Sequence, residues 1–376
     1  MKQQNIDVSD IKMPDGLPAF SFYPDDGTYE IAVSLFKACN LKCSFCFEQH
    51  DGRPDKSYIL SLPDKIVLAV ESDVRKNHPT VLYVRVWGGE LFFDAMSDEI
   101  FGVYDAFETA LYEKLLDAFP FVKDVYFTWS TNGVFSKAER IEKLLESTDA
   151  KICFSYDPCG RFRTEIEKAA CIRNIWRFYR SGRLGGISMT LTRNNIHACI
   201  DGEAGEFVKM ARKIPIDLNA YIANKGYEVF LPTAKEVGDF YVWCVEKGLT
   251  NVSVIHDALH NMQDDDRVRR RCRCKLRTVF LPDGSHTHDC VNECSNLPAE
   301  RFYGEYAEQR MESNVTEIKN TLGILKAGCL YCQRFSYCPA PCWASLIFDE
   351  TKTGTCPYER MFRAIEEEQN AERRSH

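Results

Sequence analysis

The chain of 376 residues is 45% hydrophobic and 27% charged, with a net charge of -8. This is the composition of a globular protein with room for two domains, and its acidic balance argues against nucleic acid as a partner. No apolar run approaches the roughly 18 residues of a bilayer span, and Met1 to Asn5 has no signal-peptide character, so a cytoplasmic location and no membrane partner are expected.

Residues 1–28 contain Pro14, Gly16, Pro18, Pro24 and Gly27 with little periodicity, and read as an extended N-terminal arm. From Tyr29 onward, short runs rich in β-branched and aromatic residues alternate with helix-length stretches. The predicted strands are Glu30 to Phe36, Val81 to Trp87, Asp124 to Trp129, Lys151 to Tyr156, Gly186 to Leu191 and Ile216 to Ile222. Helices are predicted over Pro63 to Lys76, Ser97 to Ala118, Ser136 to Glu146, Arg163 to Arg180, Gly202 to Lys213 and Lys235 to Lys247. Six such units predict an α/β fold, a partial or complete barrel around a parallel sheet, over residues 29–250.

Parallel α/β folds bind ligands at the carboxyl ends of their strands, and five polar clusters of this chain fall there. The first strand is followed by Cys39, Cys43 and Cys46, and the second by Gly88-Gly89-Glu90. The third leads into Ser130-Thr131-Asn132-Gly133, the fourth ends in Ser155-Tyr156-Asp157, and the fifth leads into Thr192-Arg193-Asn194-Asn195. Each alone is ordinary turn or capping chemistry; five on one rim mark a binding site.

Residues 251–273 run from acidic to basic through Asp264 to Cys274 and are expected to link two domains, with a solvated face or a basic lip as the two uses of the charge. Lys275 to Leu281 and Ser285 to Asp289 around Pro282-Asp283-Gly284 predict a β-hairpin with Cys274 and Cys290 at its outer ends. A helix is predicted over Thr316 to Lys326, followed by Cys329, Cys332, Cys338, Cys342 and Cys356, and by a C-terminal helix or tail at residues 359–376.

Seventeen cysteines in a chain expected to stay in a reducing compartment point to metal or iron-sulfur ligation rather than disulfides. In Cys39-Asn-Leu-Lys-Cys43-Ser-Phe-Cys46 three thiolates can hold three irons of a [4Fe-4S] cluster and leave the fourth iron open for chemistry. A zinc knuckle short of one ligand, or three buried thiols, is the alternative use of the same residues. The CxxxCxxC spacing, with Phe45 before its last cysteine, resembles the signature of the radical S-adenosylmethionine (SAM) superfamily. Gly88-Gly89-Glu90 resembles that family's Gly-Gly-Glu motif, with Leu91 where a proline often follows. The seven cysteines from Cys274 to Cys356 resemble the SPASM extension, the departure being five residues rather than four between Gly284 and Cys290; a zinc ribbon is the alternative.

The resemblance implies a partial (β/α)6 radical SAM barrel with a C-terminal SPASM domain of hairpin, cysteine-rich loops and helices over residues 274–358. It implies three [4Fe-4S] clusters with S-adenosyl-L-methionine as cofactors. The SAM cluster would sit on Cys39, Cys43 and Cys46. The first auxiliary cluster would take Cys274, Cys290 and Cys342, with Cys272, Cys294 or no protein ligand in fourth place; the second would take Cys329, Cys332, Cys338 and Cys356. Expected SAM contacts are Phe45, Gly88, Gly89, Glu90, Ser130, Asn132, Ser155, Asp157, Arg163 and Thr192, with Arg161 weighed beside Arg163. The two glycines would let the backbone approach the methionine moiety, and Glu90 would accept from its ammonium. Cys153, Cys159, Cys171, Cys199 and Cys244 are read as structural.

The implied activity is reductive cleavage of SAM to a 5'-deoxyadenosyl radical, followed by oxidative modification of a ribosomally made precursor peptide through a thioether or a carbon-carbon or carbon-oxygen cross-link. Its partners would be an electron donor such as flavodoxin or ferredoxin and, since the arm is short for a leader-binding domain, a separate leader-binding protein. Val291 after Cys290, where sulfatase-maturing relatives carry aspartate, leaves His286, His288 and Asp289 as candidate proton acceptors. A dehydrogenase or cyclase of a small sugar or amino-acid derivative, and a non-catalytic iron-sulfur or zinc protein, are the alternatives.

Overall fold

The computed structural model describes residues 27–46, 50, 52–202, 204–221, 228–263, 277–287, 332, 334, 338 and 356–375. They fall in two units, divided at 189/190 and again at 276 and 289.

In the first unit, strands β1 (Thr28–Ser34), β2 (Val81–Trp87), β3 (Asp124–Thr131), β4 (Lys151–Ser155) and β5 (Leu184–Leu191) run parallel in the order β5-β4-β3-β2-β1. Helices α1 (Lys56–Asn77), α2 (Glu99–Ala118), α3 (Ala138–Leu144) and α4 (Glu165–Arg180) connect them. Strands β2 and β4 alternate strictly, and β1 and β3 do so in part. Leu82, Val84 and Val86 of β2, Phe127 and Trp129 of β3, and Ile152 and Phe154 of β4 are buried, and the residues between them are smaller or polar. One face therefore meets the helices, and the other, with Tyr83, Thr128, Ser130, Ser155 and Ser188, forms the polar inner wall of an open half-barrel.

Helix α1 begins seven residues before Pro63, which lies inside it. Asp55 caps it, its side chain accepting from the Ser57 and Tyr58 amides. A proline in a helix interior costs about 3 kcal/mol, but Ile59, Leu62, Ile66, Val70 and Val74 are each fully buried, worth about 1.5–3 kcal/mol apiece. Burial wins over the local penalty. Thr164 closes a capping box with Glu167 at the start of α4.

Next to β1, on the side away from β2, lies β7 (Arg277–Phe280), parallel to it; β8 (His286–Thr287) returns antiparallel at the sheet edge. This is the hairpin expected over 275–289. Tyr29 of β1 and Thr278 of β7 share a buried hydroxyl-hydroxyl hydrogen bond of 2.6 Å, and the Tyr58 hydroxyl donates to the Leu281 carbonyl at 3.0 Å. The N-terminal arm to residue 26 and the helix expected over Thr316 to Lys326 lie outside the described residues.

The second unit contains α5 (Arg193–Ile200), α6 (Gly205–Ala211), β6 (Ile216–Ala220), a 3-10 turn at Glu228–Phe230, α7 (Ala234–Glu246), α8 (Ser253–Gln263) and α9 (Pro357–Ser375). Helix α8 forms in the stretch expected to be a linker because Val254, Ile255 and Ala258 give it a buried face. Helix α9 packs along α7: Gly238 leaves room for the Arg360 side chain, and the rings of Tyr241 and Tyr358 lie 5.5 Å apart. No helix among the described residues is long and apolar enough to cross a membrane.

Candidate functional site

The loop that leaves β1 carries Cys39, Cys43 and Cys46, all half-buried, and three neighbouring strand ends hold it in place. The first is the end of β2. The Gly89 amide donates to the Phe36 carbonyl and the Glu90 amide to the Ala38 carbonyl, both at 2.8 Å. A β-carbon at Gly88 would stand 2.7 Å from the Phe36 oxygen, and one at Gly89 would stand 2.2 Å from that of Ala38. The two glycines thus permit a close approach, and in the protein it is to the cysteine loop.

The second is the end of β3. Glu90 is fully buried, and its carboxylate accepts from the Asn132 amide (2.6 Å), the Thr131 hydroxyl (2.7 Å) and the Phe92 amide (3.0 Å). Burial pushes its carboxyl above the ordinary range, against the pull of those three donors. Asn132 is buried too. Its Nδ2 donates to Asn40 Oδ1 at 2.8 Å and reaches Cys39 Sγ at 3.8 Å, while its Oδ1 accepts from the Val134 amide. Asn40 in turn donates to the Val134 carbonyl. Asn174 of α4 fixes this turn from behind, donating to the carbonyls of Gly133 and Phe135 at 2.9 Å each.

The third is the loop after β4. Gly160, at φ +79°, offers its carbonyl to the Ser44 amide (2.9 Å) and hydroxyl (3.2 Å), and a β-carbon there would meet the Ser44 oxygen at 2.7 Å. Asp157 is completely buried and paired with Arg161, whose Nε and Nη2 lie 2.6 and 2.5 Å from Oδ2. The remaining edge of that guanidinium points to Cys43 Sγ at 3.9 Å, and the group lies over the Phe45 ring. Arg163, exposed, donates to the Asn40 carbonyl at 3.2 Å and pairs with Glu167.

Of the expected SAM contacts, Phe45, Gly88, Gly89, Glu90, Asn132, Asp157 and Arg163 are thus brought together around the cysteines. On the inner wall nearby, the Ser155 and Ser188 hydroxyls lie 3.4 Å apart. The Ser130 hydroxyl oxygen is buried with no hydrogen-bond partner, a polar atom left over for a ligand. Thr192 belongs to the second unit, where its hydroxyl caps α5 by accepting from Asn195. Residue type and spacing do not mark Asn40, Gly160, Asn174 or the sulfur-facing edge of Arg161; the one local signal is the Pro158-Cys159-Gly160 turn.

The donor set fits a cluster: three thiols on one clamped loop, with N-H donors aimed at two of their sulfurs. Burial, then the nearby Glu90 and the other two cysteines, pushes the Cys39 thiol up to about 12, so a cationic metal group is what would make it a thiolate ligand. No three His, Cys, Asp or Glu side chains among the described residues are placed to hold a single metal ion. A four-iron cluster takes each thiolate at a separate iron, a wider spacing than one ion requires.

In the second unit, Cys332, Cys338 and Cys356 gather at the start of α9. The Tyr358 and Glu359 amides donate to Cys356, which has Cys332 within electrostatic reach, and Cys338 and Cys356 both act on the buried phenols of Tyr241 and Tyr358. Arg334, between Cys332 and Cys338 in sequence, is fastened to α9 by ion pairs to Glu359 and Glu366. His286 is exposed, its ring 5.5 Å from that of Phe280. Cys272, Cys274, Cys290, Cys294, Cys329, Cys342, His288 and Asp289 lie outside the described residues.

No family model and no curated protein matches the chain. Solved structures do. It is similar to hexahistidine-tagged anSMEcpe with bound AdoMet (14% identity, TM-score 0.58, covering 90% of this chain and 96% of that one). It is also similar to native anSMEcpe with bound AdoMet and the Cp18Cys peptide (16%, 0.57, 92% and 99%) and to the same protein with the Kp18Cys peptide (15%, 0.58, 91% and 99%). At these identities the likeness is one of fold, a partial barrel built on a parallel sheet.

Proposed function

We propose that this chain is a radical SAM enzyme that oxidatively modifies a ribosomally made peptide, forming a thioether or a carbon-carbon or carbon-oxygen cross-link. The observation that carries the reading is the convergence of the β2, β3 and β4 ends on the loop of Cys39, Cys43 and Cys46. When bound, a [4Fe-4S] cluster on these cysteines supplies the electron that splits S-adenosylmethionine into methionine and a 5'-deoxyadenosyl radical able to take a hydrogen atom from the substrate.

The chain's own part is to hold and orient. Glu90 ties the β2 and β3 ends together beneath the loop through Thr131 and Asn132. Ser130, with an unspent hydroxyl, and Ser155 on the inner wall suit a polar ligand such as a ribose or an amino-acid carboxylate. Cys332, Cys338 and Cys356, with Cys329, would hold one auxiliary cluster, and Cys274, Cys290 and Cys342 the other, to accept the electron released in an oxidative outcome. An electron donor of flavodoxin or ferredoxin type, and a separate leader-binding protein, complete the proposed partners. The peptide substrate is supported by the peptides bound in the similar structures.

Anaerobic reconstitution followed by mass spectrometry of a peptide encoded beside this gene tests the reading. About twelve irons per chain, for three four-iron clusters, and dithionite-dependent 5'-deoxyadenosine are expected. Cys43→Ala should abolish SAM cleavage, and Cys338→Ala should keep uncoupled cleavage while losing product. Bound zinc without SAM cleavage would falsify the enzyme, and full product from Cys338→Ala would remove the electron-exit role.

A further inference from the structure

Two sulfurs of the cysteine loop face side-chain N-H donors that the chain has gone to some length to fix. Asn132 has its amide and both polar atoms of its side chain committed. Its amide donates to Glu90, its Oδ1 accepts from Val134, and the two hydrogens of Nδ2 serve Asn40 Oδ1 and Cys39 Sγ. Cys39 Sγ also receives the Leu41 amide at 3.4 Å. Arg161 is 13% exposed, and its position is set by two contacts to the buried Asp157 carboxylate and by the Phe45 ring, leaving Nη1 toward Cys43 Sγ at 3.9 Å. Neither arrangement is surface chemistry: a buried guanidinium held through Nε and Nη2 by one carboxylate is fixed in orientation, with Nη1 left to face the sulfur.

The geometry points to Asn132 and Arg161 as positioning residues that set the reduction potential of the cluster held by Cys39, Cys43 and Cys46. This rests on the reading of that loop as a cluster site. Three thiolates make the ligated cluster anionic, and the one electron it accepts from a low-potential donor adds a further negative charge. Hydrogen bonds and positive charge at the sulfurs favour that reduced state and raise the potential. Asp157 acts in the opposite sense. It orients Arg161 but also offsets the charge, so the cluster meets the positive end of an oriented pair rather than a lone cation.

The two members of the pair therefore make opposite predictions, which a merely structural role would not. The assay is a redox titration of the anaerobically reconstituted full chain, followed by electron paramagnetic resonance through the component whose spectrum changes on adding SAM. In Arg161→Gln the ratio of reduced to oxidised cluster at the wild-type midpoint should fall about tenfold, a shift of about 59 mV for a one-electron couple. Asn132→Ala should lower it in the same direction by less. Asp157→Asn should raise it. Where Arg161→Gln fails to load its cluster, Asp157→Asn decides: a rise upholds the assignment, and no change or a fall overturns it. Midpoints unchanged in all three variants, or Arg161→Gln and Asp157→Asn moving together, overturn it as well. A wild-type protein with no SAM-responsive component removes the enzyme reading itself, and the assignment with it.

Discussion

Gly89→Ala places one methyl group against the backbone of the cysteine loop, and the structure gives the size of the conflict. The added carbon would stand 2.2 Å from the Ala38 oxygen and 2.3 Å from that of Lys37, where about 3.0 Å is the closest real approach, so the loop must move by about 0.8 Å. No flexible side chain is available to yield. The displacement strains the hydrogen bonds from Gly89 to Phe36 and from Glu90 to Ala38, and with overpacking the cost is about 2–5 kcal/mol. A misplacement near 1 Å at a reacting centre costs on the order of 100-fold in rate. Gly102→Ala is the control: it lies in α2 with nothing within 4 Å, and should stabilise the protein by about 0.4–1 kcal/mol. Thermal unfolding, iron content and 5'-deoxyadenosine formation are measured on both. For Gly89→Ala the expected result is a folded protein with reduced iron and about 100-fold less SAM cleavage. Wild-type iron and turnover in that variant would refute the idea that the close approach positions the cluster ligands.

Glu108 is buried among Trp129, Thr148 and Ser147, and burial pushes its carboxyl up to about 7, against the pull of those donors. The folded state then binds the proton more readily than the unfolded chain, so this group's contribution to stability falls as pH rises from about 4.5 to about 7, by at most about 3 kcal/mol. Glu108→Gln should gain stability relative to wild type between pH 5 and pH 8 in urea titrations, and a difference that stays flat with pH would contradict this. Asn174→Ala leaves two buried carbonyls, those of Gly133 and Phe135, without their donor, and should lower the unfolding free energy by about 2–4 kcal/mol. An unchanged denaturation midpoint would mean that water replaces the amide without loss.

The strands of the half-barrel were legible because each is a short β-branched and aromatic run, and Val81–Trp87 has the bounds its composition predicts. Helix starts were less so. Pro63 reads as a first-turn residue, yet α1 continues back to the Asp55 cap because tertiary burial outweighs the proline. Thr192 reads as part of a ligand rim while serving as the cap of α5, a short helix with no periodic signal long enough to notice. The cysteines, Gly88-Gly89-Glu90 and Asn132 were legible as a rim, since strand-end placement follows from chain order. What they touch was not. That Glu90 is satisfied by β3, or that Arg161 rather than its neighbour Arg163 reaches a sulfur, depends on loop paths that residue type does not encode.

The pairing of β7 with β1 has a bearing on how the protein is made. The buried bond between Tyr29 and Thr278 spans 249 positions of chain. At about 5–20 residues per second of synthesis, the first strand waits roughly 12–50 s for that neighbour to leave the ribosome. Throughout that interval β1, from which the cysteine loop departs, lacks its β7 partner. That edge of β1 is the last of the sheet to be paired, and a chain stalled before residue 277 should be more prone to associate through it than one released with β7 in place.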